Sequence, residues 1–142
     1  MKKLNLNFIA FASIAAMALT GCSTTVDVKT TEKNLTKASY TVVVQNVEEY
    51  AASLTGKVLT ATAEEGFKNH LKAVNQKDFI FTWYFNSIDS AEAWWNKKMS
   101  DILSIQIPDG TTKEDAEMAQ GYHNNVVFYG TAAARDAAKL KV

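Results

Sequence analysis

The chain of 142 residues has one cysteine, one proline and six glycines. A single cysteine excludes an intrachain disulfide framework, so the domain must be held together by a packed core. The six glycines never form a phosphate-cradling run. "YGTAAAR" (129–135) opens a helix after a strand, but it lacks the glycine and lysine spacing of a P-loop. There is no G-x-S-x-G elbow and no second cysteine to act as a nucleophile. Charge of either sign is not in excess, with fifteen basic and fifteen acidic residues. No basic stripe points to nucleic acid, and none is expected as a partner. Histidine is scarce too: His70 and His123 are the only two. They lack the paired spacing that metal ligation needs, so neither a metal nor another cofactor is expected. Acidic pairs occur at Glu48-Glu49 and Glu64-Glu65, each in the first turn of an expected helix, where acids complement the dipole. Finally, no hydrophobic run is long enough to span a bilayer. The longest, "FIAFASIAAMAL" (8–19), falls short of the ~20 residues required.

That short run has an informative setting. It follows the cationic start Met1-Lys2-Lys3 and leads through small residues into Leu19-Thr20-Gly21-Cys22. A positive n-region, a short apolar core and a small-residue exit are the layout of a secretory signal peptide. The last four residues resemble the lipobox of bacterial lipoproteins. In that family the cysteine thiol receives a diacylglycerol, and the leader is removed just before it. The resemblance implies a leader over 1–21, lipidation at Cys22 with palmitate-type acyl chains, and lipoprotein-processing enzymes as partners. Ser23 follows the cysteine, a pattern similar to that of outer-membrane-sorted lipoproteins of a Gram-negative envelope. The expected location is therefore the outer membrane, facing the periplasm. Each buried lipid CH₂ contributes about 0.8 kcal/mol, and several chains on one cysteine make the anchor effectively permanent.

Loss of the leader would leave 121 residues, enough for one domain and a tail. Residues 22–38 ("CSTTVDVKTTEKNLTKA") are rich in Thr and Lys and lack aromatics, and are expected to be a lipidated flexible tether. The globular domain is placed at 39–142. "YTVVVQ" (40–45) reads as a strand. Asn46 and Glu49 form a capping-box pair that opens a short helix. "KVLTAT" (57–62) reads as a second strand. A helix is expected over 63–75, capped by Thr62 and Glu65, with Phe67, Leu71 and Val74 on one side. "DFIFTWYF" (78–85) is the strongest strand, with both faces apolar and so central. A helix capped by Ser87 or Asp89 follows, striped by Ala91, Trp95, Met99 and Ile102. After a turn at "IPDG" (107–110), the spacing predicts a polar helix over 111–120 stopping at Gly121. A strand at 125–130 and a helix over 131–141 close the chain. The expected fold class is α+β, a small two-layer sandwich with about four strands and helices on one face. A small α/β fold with a partly parallel sheet is the alternative.

"FIFTWYFNSIDSAEAWWNKKMSDIL" (79–103) resembles a segment of the dimeric α+β barrel superfamily, through Phe85, Ser87, Asp89, Ala91, Ala93 and Trp94. That resemblance implies a ferredoxin-like sandwich and a homodimer, and it carries no catalytic residue onto this chain.

Three functions are compatible with these features. The first is a membrane-anchored envelope lipoprotein whose domain binds a ligand or partner without catalysis. The second is a small dimeric α+β barrel enzyme tethered to the membrane, using an aromatic cavity and His70 or His123 for proton transfer. The third is an inhibitor or immunity-type protein acting on an envelope enzyme. The candidate binding residues are Trp83, Trp94, Trp95, His70 and His123. The aromatic cluster reads first as core and second as a pocket or association face. Trp83, on the aromatic face of the central strand, and Trp95, on the apolar stripe of the following helix, are expected to be buried and Trp94 more exposed.

Overall fold

The computed structural model of the chain describes residues 25–53, 66–108 and 116–141. Cys22, the strand expected at 57–62 and the pair Thr62–Glu65 lie outside them.

The chain is an α+β sandwich built on one five-stranded sheet. The elements run α1 (Val28–Lys37), β1 (Thr41–Asn46), α2 (Val47–Ser53), β2 (Phe67–Val74), β3 (Phe79–Phe85), α3 (Ile88–Leu103), β4 (Met118–His123), β5 (Val126–Thr131) and α4 (Ala132–Ala138). The strand order is β1-β2-β3-β5-β4, and all four pairings are antiparallel. This corrects the partly parallel alternative. The order also departs from a ferredoxin-like sheet, whose split β-α-β units set two parallel strands around a third. Here β1 and β2 are adjacent and antiparallel.

β3 is central, as its sequence implies, and all seven of its residues are buried. Its alternation divides the interior into two layers. Phe79, Phe81, Trp83 and Phe85 join Tyr50 of α2 and Ala91, Trp94 and Ile102 of α3. Ile80 and Tyr84 face the other way, toward Leu35 of α1 and Ala134 and Ala138 of α4. The helices therefore cover both faces of the sheet rather than one.

Three elements differ from their sequence reading. α1 occupies most of the expected tether. Asp27 caps it, accepting from the Lys29 amide at 3.1 Å, and Thr31 and Leu35 are completely buried. An i, i+4 stripe of only two residues is invisible in a Thr- and Lys-rich composition. Of the region read as helix at 63–75, residues 67–74 form β2 instead. An irregularity between Phe67 and Asn69 shifts its register, and buried residues fall on both of its faces, with His70 on one and Leu71 and Ala73 on the other, so no clean alternation survives to be read. Likewise 118–120, expected to end a helix, belong to β4. "MAQGYH" has weak strand propensity, but pairing with β5 overrides it.

Local rules hold elsewhere. The Glu49 carboxylate accepts from the Asn46 amide, and the Asn46 side chain accepts from the Glu49 amide, both at 2.8 Å, a reciprocal capping box. Ser87 caps α3 by accepting from the Ser90 amide at 3.1 Å. Asn75 folds the β2–β3 turn, its side chain accepting from the Lys77 and Asp78 amides at 3.0 and 2.7 Å.

Candidate functional site

The candidate residues fall into two groups. Trp83, Trp94, Trp95 and His70 share the layer between the sheet and helices α2 and α3. The Trp94 ring lies 5.4 Å from Trp83 and 5.5 Å from Phe85. Trp83 and Trp94 are 1% and 0% exposed, while Trp95 is only half-buried. This reverses the expected order of Trp94 and Trp95. On a helix the two lie about 100° apart, on opposite flanks of the Ala91–Ile102 stripe. The sheet sits under the Trp94 flank, and helical periodicity carries no information about which flank that is. Met99, placed on the stripe by spacing, is 43% exposed.

His70 lies on β2 among three rings. Its imidazole is 4.7 Å from Tyr50, 5.1 Å from Trp83 and 6.2 Å from Phe81. The Trp83 indole N–H donates to the Tyr50 hydroxyl at 2.9 Å, which gives one buried polar group a partner. Burial raises the Tyr50 hydroxyl, opposed by that hydrogen bond. Burial also pushes His70 down to about 3, with Lys72 adding to the effect and a hydrogen bond to the Thr82 backbone opposing it. At neutral pH the ring is therefore uncharged. Its Nδ1 and the Trp94 Nε1 have no hydrogen-bond partner among the described residues.

His123 stands apart. It ends β4 and pairs with Val126, three strand positions from His70 across β3 and β5, or roughly 14 Å at the usual strand spacing. The two histidines cannot act on one atom. Among the described residues no group of three His, Cys, Asp or Glu is placed to hold a metal ion, and no helix is long and apolar enough to cross a membrane.

Two features were not legible in the sequence. The first is a clamp on the N-terminal segment. The Asn125 side chain accepts from the Val26 amide and donates to the Val26 carbonyl at 3.1 Å and to the Phe85 carbonyl at 2.8 Å. Asn125 is 3% exposed, so these bonds lock chain segments 99 residues apart in a nearly dry setting. The only local signal is an Asn-Asn turn, in which Asn124 takes the left-handed conformation at φ 52°.

The second feature is a cleft at the opposite end of the sheet. Lys77 and Asp78 of the β2–β3 turn, Glu117 before β4 and Asp136 of α4 line it, together with Thr131 and Ala132. Its volume is about 470 Å³, and it is open to solvent on one side. The Arg135 guanidinium holds Asp136 on the exposed surface, with Nε and Nη2 each 3.0 Å from the carboxylate.

Comparison with protein-family models, with curated proteins and with solved structures returns no match.

Proposed function

We infer that the chain is a lipid-anchored envelope protein whose folded domain binds a ligand or partner without catalysis. The observation that carries this reading is the succession of features in the N-terminal sequence: Lys2 and Lys3, the short apolar run 8–19 and then Leu19-Thr20-Gly21-Cys22. Diacylglycerol on Cys22 would fix the domain to the membrane, in the Gram-negative case to the periplasmic face of the outer membrane. The binding role draws support from where the chemistry-bearing side chains lie. The aromatic residues that would line a pocket pack instead against one another in the core. His70 is held neutral among rings, far from His123. Recognition then falls to the surface, where the cleft of Lys77, Asp78, Glu117 and Asp136 offers concavity and charge.

Native mass spectrometry of the chain extracted from the envelope in mild detergent tests this. The expected spectrum contains the acylated chain with a bound small molecule or protein. That species should be lost when Lys77→Glu and Asp136→Lys reverse charges in the cleft. An acylated chain that carries no bound species contradicts the binding role, and recovery of the chain among soluble proteins contradicts the anchor.

A further inference from the structure

The strands and turns give the domain two distinct ends. At one end lie Val26, the start of α2 at Val47, the β3–α3 junction at Asn86 and the β4–β5 turn at Asn124 and Asn125. At the other lie the β2–β3 turn at 75–78, the start of β4 and the cleft. β2 and β3, eight and seven residues long, separate the two ends, or roughly 20–25 Å at the usual rise.

Val26 enters the fold at the first end and is fixed there. Its N–H and C=O both bond to Asn125, and its side chain packs with Val28 against the core of Leu35, Tyr84 and Phe128. Only Ser23, Thr24 and Thr25 separate Cys22 from this fixed point. A fully extended chain covers at most ~3.6 Å per residue, so the leash from Cys22 to Val26 is no longer than about 14 Å. A lipid-bearing Cys22 sits at the headgroup level. The clamped end is thereby confined to a layer shorter than the domain itself, whereas a tether running to residue 38 would have let the domain tumble.

We propose that the domain stands end-on against the phospholipid headgroups, with the β3–α3 junction and the β4–β5 turn at the membrane surface and the cleft at the far end, facing away. This rests on the lipid-anchor reading above. The membrane-facing end presents amides and hydroxyls at Asn46, Asn86 and Ser87, with Glu48, Glu49, Asp89 and Lys68 as its charged neighbours. Among the described residues acids outnumber bases there, so the contact is set by the leash and by headgroup hydrogen bonding rather than by attraction to anionic lipid. Raising the salt screens the repulsion between these acids and anionic lipid, so it should not loosen the contact.

The test uses the acylated full-length chain in vesicles of phosphatidylethanolamine with a minority of phosphatidylglycerol. Fluorophores are attached through Asp89→Cys at the clamped end or Gln76→Cys at the far end, both exposed positions. A quencher carried on the lipid headgroup reports proximity. Quenching at position 89 is expected to exceed that at position 76 several-fold, at low and high salt alike. A flexible Gly/Ser insertion of about fifteen residues after Ser23, with a root-mean-square span of roughly 20 Å, should erase the difference. Equal quenching at the two positions in an acylated chain, or a difference that survives the insertion, overturns the orientation while leaving the anchor intact. A mass showing no acyl groups in the same preparation overturns the anchor reading, and the orientation with it.

Discussion

Lowering the pH should destabilise this domain through one residue, His70. Its imidazole is 7% exposed and wedged between Tyr50, Phe81 and Trp83. Burial holds its pKa near 3, against the ordinary imidazole value of 6.5. The sign follows from proton uptake. Below about pH 6.5 the unfolded chain binds a proton at this site and the folded chain does not, so the unfolded state gains. Stability is fully present above pH 6.5 and falls as the pH drops toward 3. One proton is worth about 1.4 kcal/mol per pH unit, so the site should cost about 2 kcal/mol at pH 5 relative to pH 7.5. That is a sizeable share of a total of ~5–15 kcal/mol. His70→Phe keeps an aromatic ring in an aromatic setting and removes the titration. Urea unfolding of both proteins at pH 7.5 and pH 5 isolates the effect, because every other titrating group is common to the two. The wild type should lose about 2 kcal/mol more than His70→Phe over this interval. Equal losses would mean that His70 accepts its proton in the folded state, and the buried-neutral account would be wrong.

The two neighbouring tryptophans should separate cleanly. Trp94→Ala removes a fully buried ring and should cost about 3–5 kcal/mol, whereas the half-buried Trp95→Ala should cost clearly less in the same denaturation assay. Leu35→Ala should cost about 2–5 kcal/mol, because α1 is part of the core. A chain that begins at Ser39 should therefore melt at a lower temperature, or without cooperativity, in calorimetry. Gly130→Ala would place a Cβ on the Phe79 carbonyl and 2.7 Å from the Ile80 Cα. Since the backbone of a central strand cannot give way, a loss of about 3 kcal/mol or more is expected by chemical denaturation.

What could be read from sequence depended on how local each signal was. β3 was legible because its alternating aromatics need no partner to be recognised. The capping pair Asn46–Glu49 and the Ser87 cap were legible because each closes within three residues. β2 was not, since a strand that buries residues on both faces and is irregular at Phe67 spaces its apolar residues much as a helix does. α1 was hidden for the opposite reason. Only Thr31 and Leu35 of its ten residues are buried, and its stability comes from docking onto α4 and β1 rather than from its own pattern. Trp94 and Trp95 were placed on the right helix, but their order depended on which flank the sheet occupies. The Asn125 clamp could not have been found, because its meaning lies in Val26, 99 residues away. The carboxylates of the cleft were unreadable likewise: Asp78, Glu117 and Asp136 come from three separate parts of the chain.

If Cys22 carries the membrane anchor, intact mass spectrometry of the protein purified from membranes should show a chain that begins at Cys22, heavier than its polypeptide by a diacylglycerol with or without a further acyl chain on the new amino terminus. Cys22→Ser should accumulate as the uncleaved precursor starting at Met1. A wild-type chain with an unmodified Cys22 thiol, or a Cys22→Ser protein that is cleaved and membrane-bound as before, would contradict that anchor.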